Sequence, residues 1–376
     1  MKDMETQVIA LLKKLVSIDS AYPNEGKIIA YLEKFFEKNG YKTKRQKVEA
    51  NRYNLLVEKG TGNKSILLYS HVDTVTAASG WTDNPLTLKI SGDRASGLGA
   101  WDMKGGMVVN ILSFLRHNPK KNKLKLAFCV DEENISKGGH ILANSDFMED
   151  VECIISPEPA FFHGNQGIVT GRTGRAVFEL KINANPKHYA LYEKKYDMNF
   201  FVADLVFRLG SIYKNSHDRK QFVFVRKIDS HSLGISTPQQ MTLELDSSVI
   251  PPYTNQDIME MIKKEINWCG LKYNNYFKTS LQYVKRETPF LESYEVEKKN
   301  RYLKKLSESI LKNTGKKAVA YFRSSVADEN IFGSKGMTVL GIGPTGNNAH
   351  SANEWVSLSS LKKLYNILNN FLEIAR

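Results

Sequence analysis

Three apolar runs constrain this chain more than any other feature. Ile66–Tyr69, Leu124–Val130 and Glu152–Ser156 each read as a strand buried within a sheet. Each then breaks into polar chemistry: Ser70-His71-Val72-Asp73, Asp131-Glu132-Glu133 and Pro157-Glu158-Pro159. Helical patterns surround them. Val8, Leu11, Leu12, Leu15 and Val16 recur at helical spacing, as do Ile28, Ile29, Leu32, Phe35 and Phe36. Met107–Leu115 reads as a buried helix, and Leu358, Leu361, Leu364 and Leu368 mark one face of a last one. Strands alternating with helices predict an α/β sheet, and open α/β sheets take ligands at the carboxyl ends of their strands.

Between residues 173 and 288 the pattern changes. Arg175–Ile182 alternates as a strand, 200–213 reads as a helix, 222–228 and 241–245 as strands, 257–268 as a helix and 276–284 as a strand. That order predicts an inserted α+β domain of ferredoxin-like topology. The first domain is then discontinuous, 1–172 and 289–376, and resumes with a long helix predicted from Glu292 to about Asn313.

Composition excludes some function classes. The formal charge is +13, but the lysines are spread and often stand beside glutamates, as solvated helix faces do. With no nucleic-acid-binding motif present, no nucleic-acid partner is expected. No apolar run approaches the ~18 residues of a membrane span, and Met1-Lys-Asp-Met-Glu-Thr-Gln7 is not a leader of the signal-peptide kind. A cytoplasmic protein with no membrane partner is expected. Cys129, Cys153 and Cys269 form no Cys-x-x-Cys pair, which argues against a thiolate zinc site or a disulfide framework.

The polar strand ends and loops collect His71, Asp73, Asp102, Glu132, Glu133, Glu158 and His350. Alone, His71 fits a metal ligand or a hydrogen-bonded core histidine. Together the residues make a nitrogen/oxygen donor set that suits zinc, with manganese or cobalt as substitutes. So many carboxylates in one crevice repel one another, and two cations sharing one bridging carboxylate remove that cost. Asp102 is the natural bridge, central in the glycine-flanked Gly97-Leu-Gly-Ala-Trp-Asp-Met-Lys-Gly-Gly106.

Five motifs in order, Ser-His-Val-Asp-Thr-Val (70–75), the Gly97–Gly106 loop, Asp-Glu-Glu (131–133), Pro-Glu-Pro (157–159) and Ala-His-Ser-Ala-Asn-Glu-Trp-Val (349–356), carry a family resemblance. The sequence resembles the co-catalytic metallohydrolases comprising acetylornithine deacetylase, succinyl-diaminopimelate desuccinylase, aminoacylase and the glutamate-releasing carboxypeptidases. The resemblance implies a phosphorylase/hydrolase-like zinc-peptidase catalytic domain with a central mixed sheet, and an inserted lid and dimerisation domain. It implies two divalent metals, zinc first: one held by His71 and Glu158, the other by Glu133 and His350, with Asp102 bridging. Asp73 would orient His71, and Glu132 would serve as general base and acid. Adjacent residues on an extended chain point opposite ways, so Glu132 and Glu133 need an irregular backbone to serve one site.

The same resemblance implies a homodimer in which His188 enters the neighbouring subunit's site. Tyr189, Leu191 and Tyr192 crowd that segment where the family has small residues, and Leu245-Asp-Ser-Ser248 lacks the family's arginine. Arg323 falls where the family has a loop near substrate, and offers a fork for a substrate carboxylate; a solvated surface arginine is the alternative. His140, His163, His217 and His231 match no motif. The expected activity is removal of an N-acyl group from an amino acid, acetylornithine deacetylase and succinyl-diaminopimelate desuccinylase being the most similar branch. An exopeptidase on small peptides and a binding protein with a degenerate site are the alternatives.

Overall fold

The computed structural model describes residues 4–216 and 219–375, so His217 lies outside the described residues. The chain divides into two compact units. Among the described residues, one comprises 4–171, 296–321 and 327–375, and the other 172–295 and 322–326.

The first unit is built on a mixed sheet. Its strands lie in the order Thr43–Glu49, Arg52–Lys59, Lys123–Cys129, Ser65–His71, Val151–Ser156, Thr338–Gly341, Gly167–Arg172. Ser65–His71 is parallel to both neighbours, and Val151–Ser156 is parallel to Thr338–Gly341. Four parallel strands therefore end at one edge of the sheet, although they come from distant parts of the chain. All seven residues of Ser65–His71 are buried, as the apolar run requires of a central strand. Helix Gly105–Arg116 packs on it. Asn110 donates to the Tyr69 carbonyl at 2.8 Å and to Ser70 Oγ at 3.1 Å. Helix Leu358–Ile374 is capped by Ser357, whose Oγ accepts the Ser360 N–H at 3.1 Å.

Two details depart from the sequence expectation. The helix predicted from Glu292 begins at Arg301, because Asn300 caps it by accepting the N–H groups of Tyr302 and Leu303. The turn-rich stretch after Val75 contains strands Lys89–Ser91 and Arg94–Ser96. Trp355–Ser357 pairs with the latter. That small sheet brings the loop before Asp102 beside the segment after His350.

The second unit carries an antiparallel sheet in the order Lys214–Ser216, Arg219–His231, Gln240–Val249, Gly174–Asn183, Lys278–Tyr283. Helices Met198–Leu209 and Asn255–Lys272 supply Phe201, Leu205, Ile258 and Ile262 to a core shared with Phe178 and Leu243. The strand–helix–strand–strand–helix–strand order of its four long strands is ferredoxin-like. Among the described residues no helix is long and apolar enough to cross a membrane.

Candidate metal centre

Three of the parallel strand ends deliver His71, the Glu132–Glu133 pair and Glu158, while the loop before Gly105 brings Asp102 and the segment beyond Thr338–Gly341 brings His350. His71 closes its strand with a fully buried side chain. Its Nδ1 lies 3.0 Å from the carbonyl of Asp73 and 3.6 Å from the Asp73 carboxylate. The main chain of Asp73 is thus the nearer partner, where the sequence pointed to the carboxylate. The other carboxylate oxygen of Asp73 accepts the N–H of Glu133 at 2.9 Å. Asp73 so links the imidazole to the acidic turn that follows Cys129.

On the far side of the ring, His71 Nε2 stands 3.4 Å from Asp102 Oδ1 and 3.3 Å from Glu158 Oε1. His350 Nε2 stands 3.3 Å from Asp102 Oδ2 and 3.0 Å from Glu133 Oε1. Asp102 turns one oxygen to each histidine. Three overlapping donor groups result: His71, Asp102 and Glu158; Asp102, Glu133 and His350; and His71, Glu132 and Glu133. Within each group the ligand atoms lie no more than 4.8 Å apart. The first two hold the donors that the resemblance implied for each metal. The third brings Glu132 to the same place.

These residues suit divalent cations. His71 Nε2, Asp102 Oδ1 and Glu158 Oε1 are buried without a hydrogen-bond partner and face one another. Buried polar atoms left bare are costly, and a cation among them removes the cost. The donors are imidazole nitrogen and carboxylate oxygen, the chemistry of zinc, cobalt and manganese sites.

Charge is strongly redistributed here. Burial opposes ionisation of Asp102, yet the imidazoles of His350 and His71 beside it hold its carboxyl well below the usual range. Hydrogen bonding to Asp102 and then Glu133 raises the His350 imidazole to about 10. Burial works against a charged His71, but contacts with Asp102, Asp73 and Glu158 win and raise it well above the ordinary value. Burial is the main reason that Glu132 is pushed well up, and it raises Glu133 too; neighbouring carboxylates add to both.

The backbone around the site is irregular, as two adjacent glutamates turned to one place require. Asp131 and His350 take left-handed φ values of +77° and +59°, conformations that side chains other than glycine adopt at a cost. Asp102 and Met103 break the helical path before Gly105. Glycine is needed where backbones meet: a Cβ on Gly343 would stand 1.7 Å from the Glu158 carbonyl oxygen.

Sequence reasoning passed over Glu354. It is buried, and its carboxylate accepts the N–H groups of Gly99, Trp101 and Asp102 at 2.8, 2.7 and 2.8 Å. Burial nevertheless lifts its carboxyl to about 7. Its signal was present: it is the only acid in Ala349–Val356, and it stands four residues after His350. Glu354→Ala is expected to cost about 1–3 kcal/mol for each N–H left bare and to loosen Asp102. Denaturant melts read against metal stoichiometry check this, and unchanged values of both refute it.

Two other candidates belong to the second unit. His188 is exposed, and its Nδ1 accepts the N–H of Ala190 at 3.3 Å. Arg323 is half-buried at the end of strand Val319–Arg323.

The profile of peptidase family M20/M25/M40 matches residues 67–374. A probable succinyl-diaminopimelate desuccinylase of Staphylococcus aureus is 26% identical over 294 residues, 70% of this chain and 72% of that protein. A succinyl-diaminopimelate desuccinylase of Sulfurovum is 22% identical over 375 residues, 97% of this chain and 98% of its own length. Among solved structures, a tripeptidase from Staphylococcus aureus superposes with a TM-score of 0.77 at 18% identity, covering 98% of both chains. The aminopeptidase PepT of Bacillus cereus does so at 0.80 and 14%, covering 99% of both; at these identities the likeness is one of fold. A profile match from the strand of His71 to the last helix, over a site of histidine and carboxylate donors, has one meaning: the chain belongs to peptidase family M20/M25/M40, metal-dependent hydrolases of carbon–nitrogen bonds.

Proposed function

We propose that this chain is a di-metal amidohydrolase that removes an N-acyl group from an amino acid. The observation that carries the reading is the pair of donor groups sharing Asp102, with Glu132 beside them. His71 and Glu158 would hold one cation, Glu133 and His350 the other, and Asp102 both. When bound, such metals supply Lewis acidity and lower the pKa of water. The protein's own part falls to Glu132. One of its carboxylate oxygens takes the proton of the attacking water, and later gives it to the leaving amine. A partly buried carboxyl with a raised pKa suits both halves of that task.

The desuccinylase relatives support the acyl-amino acid reading. The peptidase neighbours favour a second one, release of a residue from a small peptide by the same machinery. A panel of N-acetyl and N-succinyl amino acids, dipeptides and tripeptides, with added zinc or cobalt, tests both. Cleavage of peptides alone would replace the first reading by the second, and cleavage of nothing would remove both. Zinc is proposed as the native metal, with cobalt or manganese able to substitute.

Metal binding should release protons. His350 is raised to about 10 without metal, so at pH 7.5 it is protonated, and a ligand must be neutral. Apparent affinity is therefore expected to rise with pH between about 6.5 and 10. Calorimetry in buffers of different ionisation enthalpy reads the protons released; none at pH 7.5 would contradict this assignment. His350→Ala is expected to lower the stoichiometry from two metals towards one without unfolding the chain. The side chain is half exposed, so little packing is lost.

A homodimer through the second unit is part of the proposal. Phe224 and Ile228, exposed on strand Arg219–His231, and Phe207, exposed on its helix, support it. His188 would enter the neighbouring subunit's site, and a His188→Ala protein with unchanged turnover would end that role. Arg323 is proposed to receive a substrate carboxylate. The free buried cysteines Cys129, Cys153 and Cys269 are consistent with a cytoplasmic location.

A further inference from the structure

Glu132 and Glu133 stand on a turn that is gripped from the neighbouring strand. Asp131, at positive φ, opens the turn, and its carbonyl accepts the N–H of Ser136 at 2.7 Å. Its Oδ2 accepts the N–H of Lys137 at 3.0 Å, and its Oδ1 accepts from Arg52 Nη2 at 2.7 Å. Arg52 is buried on strand Arg52–Lys59. Its guanidinium also meets both oxygens of buried Glu25, and Glu49 Oε2 at 2.9 Å, under the ring of Tyr22. Glu49 continues the circuit to Lys137 Nζ at 2.6 Å. Two residues along, on the same face of the strand, Asn54 accepts the Val130 N–H at 3.1 Å and donates to the Gly138 carbonyl at 2.9 Å.

Both feet of the acidic turn are thus held: Val130 and Asp131 on one side, Lys137 and Gly138 on the other. A buried ion pair contributes little net stability against an apolar packing of the same volume. Three carboxylates around one guanidinium, placed at the root of this turn, secure a geometry. We propose that Arg52, helped by Asn54, is a positioning residue for Glu132: it sets the turn so that Glu132 faces the substrate while Glu133 faces the metal. This rests on the hydrolase reading above. Lysine cannot replace the guanidinium, because its point charge lacks the fixed fork that spans Glu25, Glu49 and Asp131.

The test is Arg52→Lys in the metal-loaded full chain. A turn displaced by a fraction of an ångström is expected to lower kcat by about 10–100-fold. KM, the two metals per chain and the circular dichroism spectrum should stay as in wild type. Glu49→Gln is the second variant, at a side chain 41% exposed where folding is not at risk. It should show the same split with a smaller fall in kcat. If Arg52→Lys does not fold, Glu49→Gln decides alone. Wild-type kcat in the folded variants overturns the proposal. Metal lost together with activity overturns it too, because the network would then hold a ligand and not the base. A wild-type protein that binds no metal and cleaves no amide sinks the hydrolase reading instead, and that outcome is seen before any variant is made.

Discussion

Glu132→Gln is expected to retain two metals per chain and to lose turnover by about 10²–10⁴-fold. Glutamine matches the shape of glutamate and accepts hydrogen bonds, but it cannot take a proton from water at neutral pH. Glu132 belongs to one donor group only, with His71 and Glu133, whereas His71, Asp102 and Glu133 each serve two. Removing its charge therefore leaves two complete donor groups. It also relieves like-charge repulsion with Glu133 and Glu158, both of which raise its pKa. Metal affinity should hold or improve while kcat collapses. Metal analysis beside steady-state kinetics checks this, and a Gln variant with nearly full kcat would remove Glu132 from the base role.

Asp102→Asn should have the other large effect, and on both measurements. The carboxylate gives one oxygen to the His71 side and one to the His350 side. An amide offers one oxygen and no charge, so stoichiometry should fall from two to one or fewer. Turnover should drop at least on the order of 10²–10³-fold, the loss that follows removal of one preorganised electrostatic contact. The metal-free protein offers an independent check. Hydrogen bonding to Asp102 is the first cause of the raised His350 value, so the imidazole should titrate below its present value of about 10. An NMR titration that still finds it near 10 would mean that Glu133 alone holds the proton.

Periodicity made part of this legible. A short apolar run bounded by polar residues fits a central strand, and the residue ending it, His71, then lies at the carboxyl ends of the parallel strands. Spacing also revealed the ferredoxin-like order of the inserted segment, because its helices and strands are long. Short elements escaped. Strands Lys89–Ser91, Arg94–Ser96 and Trp355–Ser357 have three residues each, too few to show alternation. They matter because they align Glu354 beneath the Asp102 loop. Glu354 itself was hidden for another reason: its partners are backbone N–H groups some 250 residues away, at |i−j| of 252 to 255. Main-chain partners have no signature in sequence. The same holds for the Asp73 carbonyl at His71; the grip of Arg52 on Asp131 joins side chains, but across 79 residues.

The convergence of parallel strand ends also means that the donors come from both ends of the chain. His71, Asp102 and Glu158 lie within one stretch of 88 residues, all before the second unit begins, whereas His350 lies near the end of the chain. A chain emerging in sequence presents the first donor group whole while the second still lacks its histidine. Closing that second group means joining Glu133 to a residue 217 positions away, at the entropic cost of a long loop. The first group also depends on the end of the chain, because Glu354 holds the N–H groups of the Asp102 loop. A chain cut before His350 would lose one donor and, with Glu354, the support of the bridging one.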